Sequence, residues 1–223
     1  MTMRSEDGRA TETASLKAPE TKADRLMALY NMYLDEYRDR ETVMGFGNAD
    51  ASVILIGEAP GRDEVKLSKP FSGAAGKKLD KFLDTIGLDR DTVFITNAIK
   101  YRLSCVSPKS GRKKNRPAES REIEANRKYL IKEIDIIKPL ITITLGNVPL
   151  RAVTGNMKIT IGETHGRIIS SSDGEGDRNK VCILSDVFPL YHPAGVIYNQ
   201  SLEKVYLEDL EILKKILALK NIL

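Results

Sequence analysis

The stretch Ser52-Val-Ile-Leu-Ile-Gly57 constrains the fold of this chain more than any other feature. Val53 to Ile56 offers no polar position, so a strand made from it must be covered on both faces, as in a parallel sheet. Three further runs read the same way: Thr92-Val-Phe-Ile-Thr-Asn97, Pro139-Leu-Ile-Thr-Ile-Thr-Leu-Gly146 and the shorter Val187-Phe-Pro-Leu-Tyr191. Segments with helical spacing alternate with them, at Asp24 to Arg38, Ala74 to Leu88, Pro117 to Lys138, Val148 to Val153 and Ser201 to Leu223. Alternation of this kind predicts a three-layer α/β/α sandwich around a mostly parallel, four-stranded sheet. Between the third and fourth runs, Ile159/Ile161, Ile168/Ile169 and Val181/Ile183 flank a polar loop. That pattern predicts a small β-hairpin insertion over Lys158 to Leu184. The C-terminal helix is apolar enough to pack across the sheet.

With 223 residues, the chain can bury one sizeable core but not two large ones. Residues 1–21 are polar, lack the apolar core of a secretory signal and read as a disordered tail, leaving 22–223 as a single domain. No run approaches the roughly eighteen apolar residues of a membrane span. Cys105 and Cys182 are the only cysteines. Two thiols make neither a disulfide framework nor a four-thiolate metal site, and read as reduced thiols of a cytoplasmic protein; separately, a monomer without metal or cofactor is expected. A formal charge of +4 is ordinary for an enzyme. Its distribution says more, because Lys109, Arg112, Lys113, Lys114 and Arg116 share one acid-free stretch.

Open parallel sheets bind ligands beyond the carboxyl ends of their strands. Those ends carry Gly57-Glu-Ala-Pro-Gly-Arg-Asp-Glu64, Asn97-Ala-Ile-Lys-Tyr-Arg102, Gly146-Asn147 and His192-Pro-Ala-Gly195. Singly, each residue has a plain reading: Gly57 and Gly61 permit a tight turn, Glu58 is a solvated acid, Asn97 caps a turn and His192 is a hydrogen-bonded core imidazole. Together, Glu58, Asn97, Asn147 and His192 line one rim, the constellation of a catalytic cleft. Nucleotide chemistry is disfavoured. Gly73-Ala-Ala-Gly76-Lys77-Lys78 has Phe71 where a P-loop needs its first glycine and Lys78 where it needs Ser or Thr, and no G-x-G-x-x-G follows a strand.

The order of Gly57-Glu-Ala-Pro-Gly61, Lys69-Pro-Phe-Ser-Gly-Ala-Ala-Gly76, Thr96-Asn-Ala-Ile-Lys100, Leu145-Gly146 and Tyr191-His-Pro193 resembles the family-4 uracil-DNA glycosylases of bacteria and archaea. The resemblance implies a repair enzyme that hydrolyses the N-glycosidic bond of uracil, or another deaminated base, flipped out of DNA. It assigns base binding to Gly57, Ala59, Phe71 as an apolar platform, and Asn97 as reader of the uracil edge. It assigns catalysis to Glu58, acting on the attacking water, and to His192, donating to uracil O2 as charge develops there. Arg62, Lys66, Lys69, Lys100, Lys113, Lys114 and Arg116 become candidate phosphate contacts, and Val196 and Ile197 a wedge for the base stack.

The sequence departs from this family in three places. The family's four cluster-ligating cysteines would fall near Leu29 and Met32 and at Tyr101 and Asn126. These residues imply no iron–sulfur cluster, and packing by Leu29, Met32 and Tyr101 in its place. Leu103 to Pro117 is longer and more basic than the family's loop, and the leucine/arginine-rich run after His192-Pro193 is missing. Two alternatives stay open: a catalytically altered or inactive DNA-binding relative, and a small-molecule α/β hydrolase using Glu58 and His192.

Overall fold

A computed structural model describes residues 20–170, 184–198 and 201–223. The expected disordered tail, the tip of the expected hairpin and Cys182 therefore lie outside the described residues, apart from Glu20 and Thr21. Thr21 caps the first helix, α1 (Lys22–Glu36): its hydroxyl accepts from the Asp24 N–H, and the Asp24 carboxylate accepts from the Thr21 N–H at 2.9 Å.

The strands are β1 (Phe46–Gly47), β2 (Val53–Gly57), β3 (Phe94–Asn97), β4 (Ser104–Val106), β5 (Lys113–Asn115), β6 (Ile141–Leu145) and β7 (Asp186–Leu190). The main sheet has the order β1-β3-β2-β6-β7, and all neighbours are parallel except the β1–β3 pair. The four runs seen in the sequence are its four parallel strands, with β7 at one edge. The fifth, β1, has the sequence of a glycine-rich turn: it is two residues long and exposed on both faces, so no apolar pattern marks it.

Side-chain alternation along β2 separates two cores. Ile54 and Ile56 pack with α1, α4 (Ser120–Ile137) and α5 (Asn147–Thr154). Val53 and Leu55 face the opposite layer, built from α3 (Ala74–Ile86) and α8 (Ser201–Leu219). Tyr206, Leu210, Leu213 and Leu217 lay α8 across the sheet as its periodicity predicts. All of Val53 to Gly57 is buried, and truncating Leu55 to Ala here would cost ~2–5 kcal/mol.

The insertion differs from expectation. Ile161–Thr164 is a short helix, α6, and the buried Ile161 N–H donates to Asn147 Oδ1 at 2.7 Å. Of the expected hairpin only an antiparallel bridge, Ile169 to Val187, joins that segment to the sheet among the described residues. The small antiparallel hairpin of the fold is instead β4–β5, in the basic stretch. A register of Cys105 against Lys114 and Val106 against Lys113 has no alternating apolar face to reveal it.

Two short helices complete the strand-end loops, α2 (Arg62–Leu67) after β2 and α7 (Pro193–Tyr198) after β7. Among the described residues no helix is long and apolar enough to cross a membrane.

Candidate active site

The carboxyl ends of β2 and β3 are stitched together beyond the last ladder pair. The Ala98 N–H donates to the Gly57 carbonyl at 2.9 Å and the Ile99 N–H to the Glu58 carbonyl at 3.0 Å. Glu58 and Asn97 are thereby held as neighbours. At the far side, the Gly146 N–H donates to the Leu190 carbonyl at 2.8 Å, fixing the ends of β6 and β7 together before His192.

Glu58 and His192 line one cleft of about 280 Å³ with Ala59, Pro60, Leu103, Asn115 and Arg116. The Ala118 N–H donates to Glu58 Oε1 at 3.1 Å, so the carboxylate is oriented from the start of the α4 segment. Burial raises the Glu58 pKa above its ordinary 4.5, an effect that the Ala118 hydrogen bond partly offsets. Burial, with a smaller push from the positive charge of Lys78, lowers the His192 pKa below 6.5, so the imidazole is neutral at neutral pH.

Gly57 forms the junction beneath this cleft. A Cβ placed there would lie 2.5 Å from Asn97 Oδ1 and 2.6 Å from Phe71 Cζ, so the amide and the ring meet where the glycine has no side chain. The Phe71 ring runs near-parallel to the His192 ring, with 21° between planes and 6.2 Å between centroids. Asn97 and Phe71 are each 3% exposed and meet at Gly57, behind the residues that line the cleft rather than among them. The Asn97 Nδ2 amide, although buried, makes no hydrogen bond among the described residues.

Phe71 is held in a left-handed conformation, φ 50°, which an L-residue adopts only under constraint. Its N–H donates to Glu64 Oε1 at 2.8 Å and its carbonyl accepts from Arg90 at 2.8 Å. The other Glu64 oxygen accepts from the Gly61 N–H. One carboxylate therefore joins the Phe71 segment to the turn that carries Glu58.

A second, more open groove of about 410 Å³ adjoins the cleft through Asn115. Arg62, Arg102, Lys113 and Lys114 line it with the acids Asp63 and Glu64, between the β4–β5 hairpin and the α2 turn. Lys113 and Lys114 are exposed there, as is Arg62, although Lys113 pairs with Glu41 at 3.5 Å and Arg62 with Asp63 at 3.1 Å. Arg102, which sequence reasoning missed, donates from Nε to Asn115 Oδ1 at 3.1 Å and so ties the hairpin base to the strand end. Lys69 lies over the Phe46 ring at 4.1 Å. A lone arginine after a strand carries no signal of this kind in sequence; only the hairpin that it anchors reveals it.

Several expected roles do not survive. Lys100 is no phosphate contact, because its side chain is 1% exposed and paired with Glu133. Arg116 lines the cleft, but its guanidinium is committed in a bidentate pair to Glu122, with both hydrogen bonds at 2.7 Å. Val196 is 8% exposed and packs in the α3/α8 core, which removes it as a wedge; the Ile197 side chain lies outside the described residues. Asn147 accepts from the Ile161 N–H through Oδ1 and is not among the residues that line the cleft. His165, in the insertion, pairs with Asp209 at 2.8 Å and has a structural role.

The four positions implied for cluster ligands do not fit an iron–sulfur cluster. Leu29 and Tyr101 are buried in the apolar core, and Asn126 accepts from the Tyr33 hydroxyl while donating to the Glu122 carbonyl at 2.8 Å. None offers a thiolate. Tyr33, Tyr37, Tyr101 and Tyr129 pack there ring on ring, with centroids 4.5–6.4 Å apart. Met32 does not take part as expected: it is 55% exposed.

Fold and site together define an α/β protein with a carboxylate, an amide and an imidazole at the carboxyl ends of β2, β3 and β7, beside a groove lined by four cations and two acids. The family model of the uracil DNA glycosylase superfamily matches residues 44–214, and the chain belongs to that superfamily. A type-4 uracil-DNA glycosylase of Saccharolobus solfataricus is 37% identical over 204 residues, covering 90% of this chain and 87% of its own length. Those of Sulfurisphaera tokodaii (37% over 179 residues; 78% and 74% covered) and Thermotoga maritima (32% over 171; 76% and 79%) are similar as well. A solved chain of Pedobacter heparinus SMUG2 matches with a TM-score of 0.49 at 13% identity, covering 89% of this chain and 85% of its own. The family assignment rests on the family model and the relatives, not on that likeness.

Proposed function

We propose that the protein is a DNA glycosylase that hydrolyses the N-glycosidic bond of uracil flipped out of DNA. The observation that carries the reading is the unpartnered Asn97 amide, buried beside Gly57 and Phe71. A buried polar group without a partner is costly, and one at a strand-end cleft is accounted for by a ligand that completes it. Uracil supplies the complement: its O4 accepts from Nδ2, and its N3–H donates to Oδ1. Cytosine inverts that pattern and leaves both amide groups opposed, the kind of mismatch that discriminates most strongly. The names of the relatives, type-4 uracil-DNA glycosylases, support the same substrate.

In the reaction, the bond between sugar C1′ and base N1 breaks and its electron pair leaves with the base. Neutral His192 donates a hydrogen bond to uracil O2 as negative charge gathers there, stabilising the leaving group. Water adds to C1′ and its proton passes to Glu58, whose raised pKa makes it a better base than an exposed carboxylate. The ionised Glu58 also offsets the cationic sugar. Lys113, Lys114 and Arg62 bind phosphates flanking the flipped nucleotide. A DNA-repair protein of this kind needs no membrane attachment.

A uracil-containing oligonucleotide incubated with the protein and then treated with alkali should be cut at the uracil, and Glu58→Ala and Asn97→Ala should abolish the cut. An intact strand with the wild-type protein refutes the reading, while cutting only at hypoxanthine or xanthine moves it to another deaminated base.

A further inference from the structure

We infer that the buried Lys100–Glu133 ion pair is a positioning device for the base-reading amide of Asn97; the inference rests on the glycosylase reading above. Lys100 Nζ donates to Glu133 Oε2 at 2.7 Å, to Thr96 Oγ1 at 3.0 Å and to the backbone carbonyl of Asn97 itself at 3.1 Å. Those are all three donors of the ammonium group. Glu133 Oε1 accepts from the Tyr30 hydroxyl at 2.5 Å and from Thr96 Oγ1 at 3.3 Å. The Lys100 N–H donates to the Tyr33 hydroxyl at 3.0 Å. Asn97 is therefore gripped from two sides. On one side it pairs with Gly57 in the sheet, and on the other its carbonyl is held by an ammonium anchored in α4.

The pair is 1% and 0% exposed, so both charges have been taken out of water. Ion pairs buried to this degree are often matched in stability by apolar residues of similar volume, so their presence is weak evidence of a stabilising role. What an apolar pair could not do is hold a backbone carbonyl at a fixed point. Carbonyl and side-chain amide belong to the same residue, and an error of about 1 Å in placing a substrate-contacting group slows catalysis by about 100-fold.

The test uses Lys100→Met, Glu133→Leu and the double variant, with melting temperature, oligonucleotide affinity and single-turnover excision rate measured on each. Each single variant leaves a buried charge alone and should melt lower. The double variant should melt above both single variants but below wild type, because the Asn97 carbonyl and the Thr96 and Tyr30 hydroxyls lose partners, while excising uracil about 10- to 100-fold more slowly, with affinity for DNA within about twofold of wild type. Tyr30→Phe, which removes one hydrogen bond from Glu133 and no charge, should slow excision in the same direction without loss of the fold.

The Asn97 side-chain amide pair in a ¹H–¹⁵N spectrum, assigned by its disappearance in Asn97→Ala, should shift or broaden in the double variant. A wild-type excision rate in the folded double variant, or an unchanged amide pair, overturns the inference. Should the wild-type protein excise nothing, the glycosylase reading fails by itself. The amide pair then decides the positioning role alone.

Discussion

Gly57→Ala is the sharpest perturbation of the proposed base slot. Gly57 has no left-handed backbone, so alanine costs nothing in conformation and the effect is purely steric. The new methyl would sit 2.5 Å from Asn97 Oδ1 and 2.6 and 2.8 Å from two Phe71 ring carbons, where ordinary van der Waals approach begins at 3.4 Å. Neither neighbour can retreat easily. Asn97 is bonded into the sheet, and Phe71 is tied through its N–H to Glu64 and through its carbonyl to Arg90. Overpacking of this kind costs ~1–3 kcal/mol of stability. Displacing the reader and the platform together should lower the excision rate by about 100-fold. Thermal unfolding and single-turnover excision of the same preparation measure both effects. A Gly57→Ala protein that excises uracil at the wild-type rate would refute the placement of the base between Asn97 and Phe71.

The remaining predictions concern charge and packing. Ionised Glu58 and neutral His192 are both lost on acidification, so excision should be flat near neutral pH and fall on the acid side; because burial raises Glu58, the carboxylate limb should lie above pH 4.5 and be missing from the residual rate of Glu58→Gln. Replacing Lys113 and Lys114 by glutamine should flatten the salt dependence of DNA binding by roughly 0.9 log units per log salt for each phosphate no longer neutralised, and a titration over salt with an unchanged slope would remove the hairpin from the DNA interface. At the positions where relatives of the family-4 type would hold a cluster, Leu29→Ala should cost ~2–5 kcal/mol in denaturant unfolding, whereas Met32→Ala, being exposed, should stay within about 0.5 kcal/mol. Glu122, held down to about 2 by its hydrogen bonds to Arg116, stabilises the fold fully above its ordinary 4.5 and loses that contribution as pH falls toward 2; acid unfolding of Glu122→Gln should accordingly be less steep across that range.

The residues that declare themselves in the sequence are those whose environment is written in local pattern. Val53 to Ile56 and Ile141 to Leu145 are buried on both faces, so their place in mid-sheet is legible, and with it the strand ends that carry Glu58, Asn97 and His192. What stays hidden has no such signature. β1 is two exposed residues, and β4–β5 pairs lysines and a cysteine, so neither shows an alternating apolar face. Ile159 and Ile161 alternate as a strand would, but Ile161 opens a helix because Asn147 takes its N–H. Lys100 stands in a strand-end loop like any phosphate-binding lysine. Only the tertiary fold brings Glu133, 33 residues away, against it and turns an apparent surface cation into a buried one.

The proposed mechanism stands or falls on where the flipped base goes. A crystal structure of Glu58→Gln bound to a uracil-containing oligonucleotide tests that directly. The base should lie on the Phe71 ring with O4 and N3 against the Asn97 amide and O2 toward His192. A base still stacked in the helix, or seated in the Arg62–Lys113 groove with the Asn97 amide unpartnered, would contradict it.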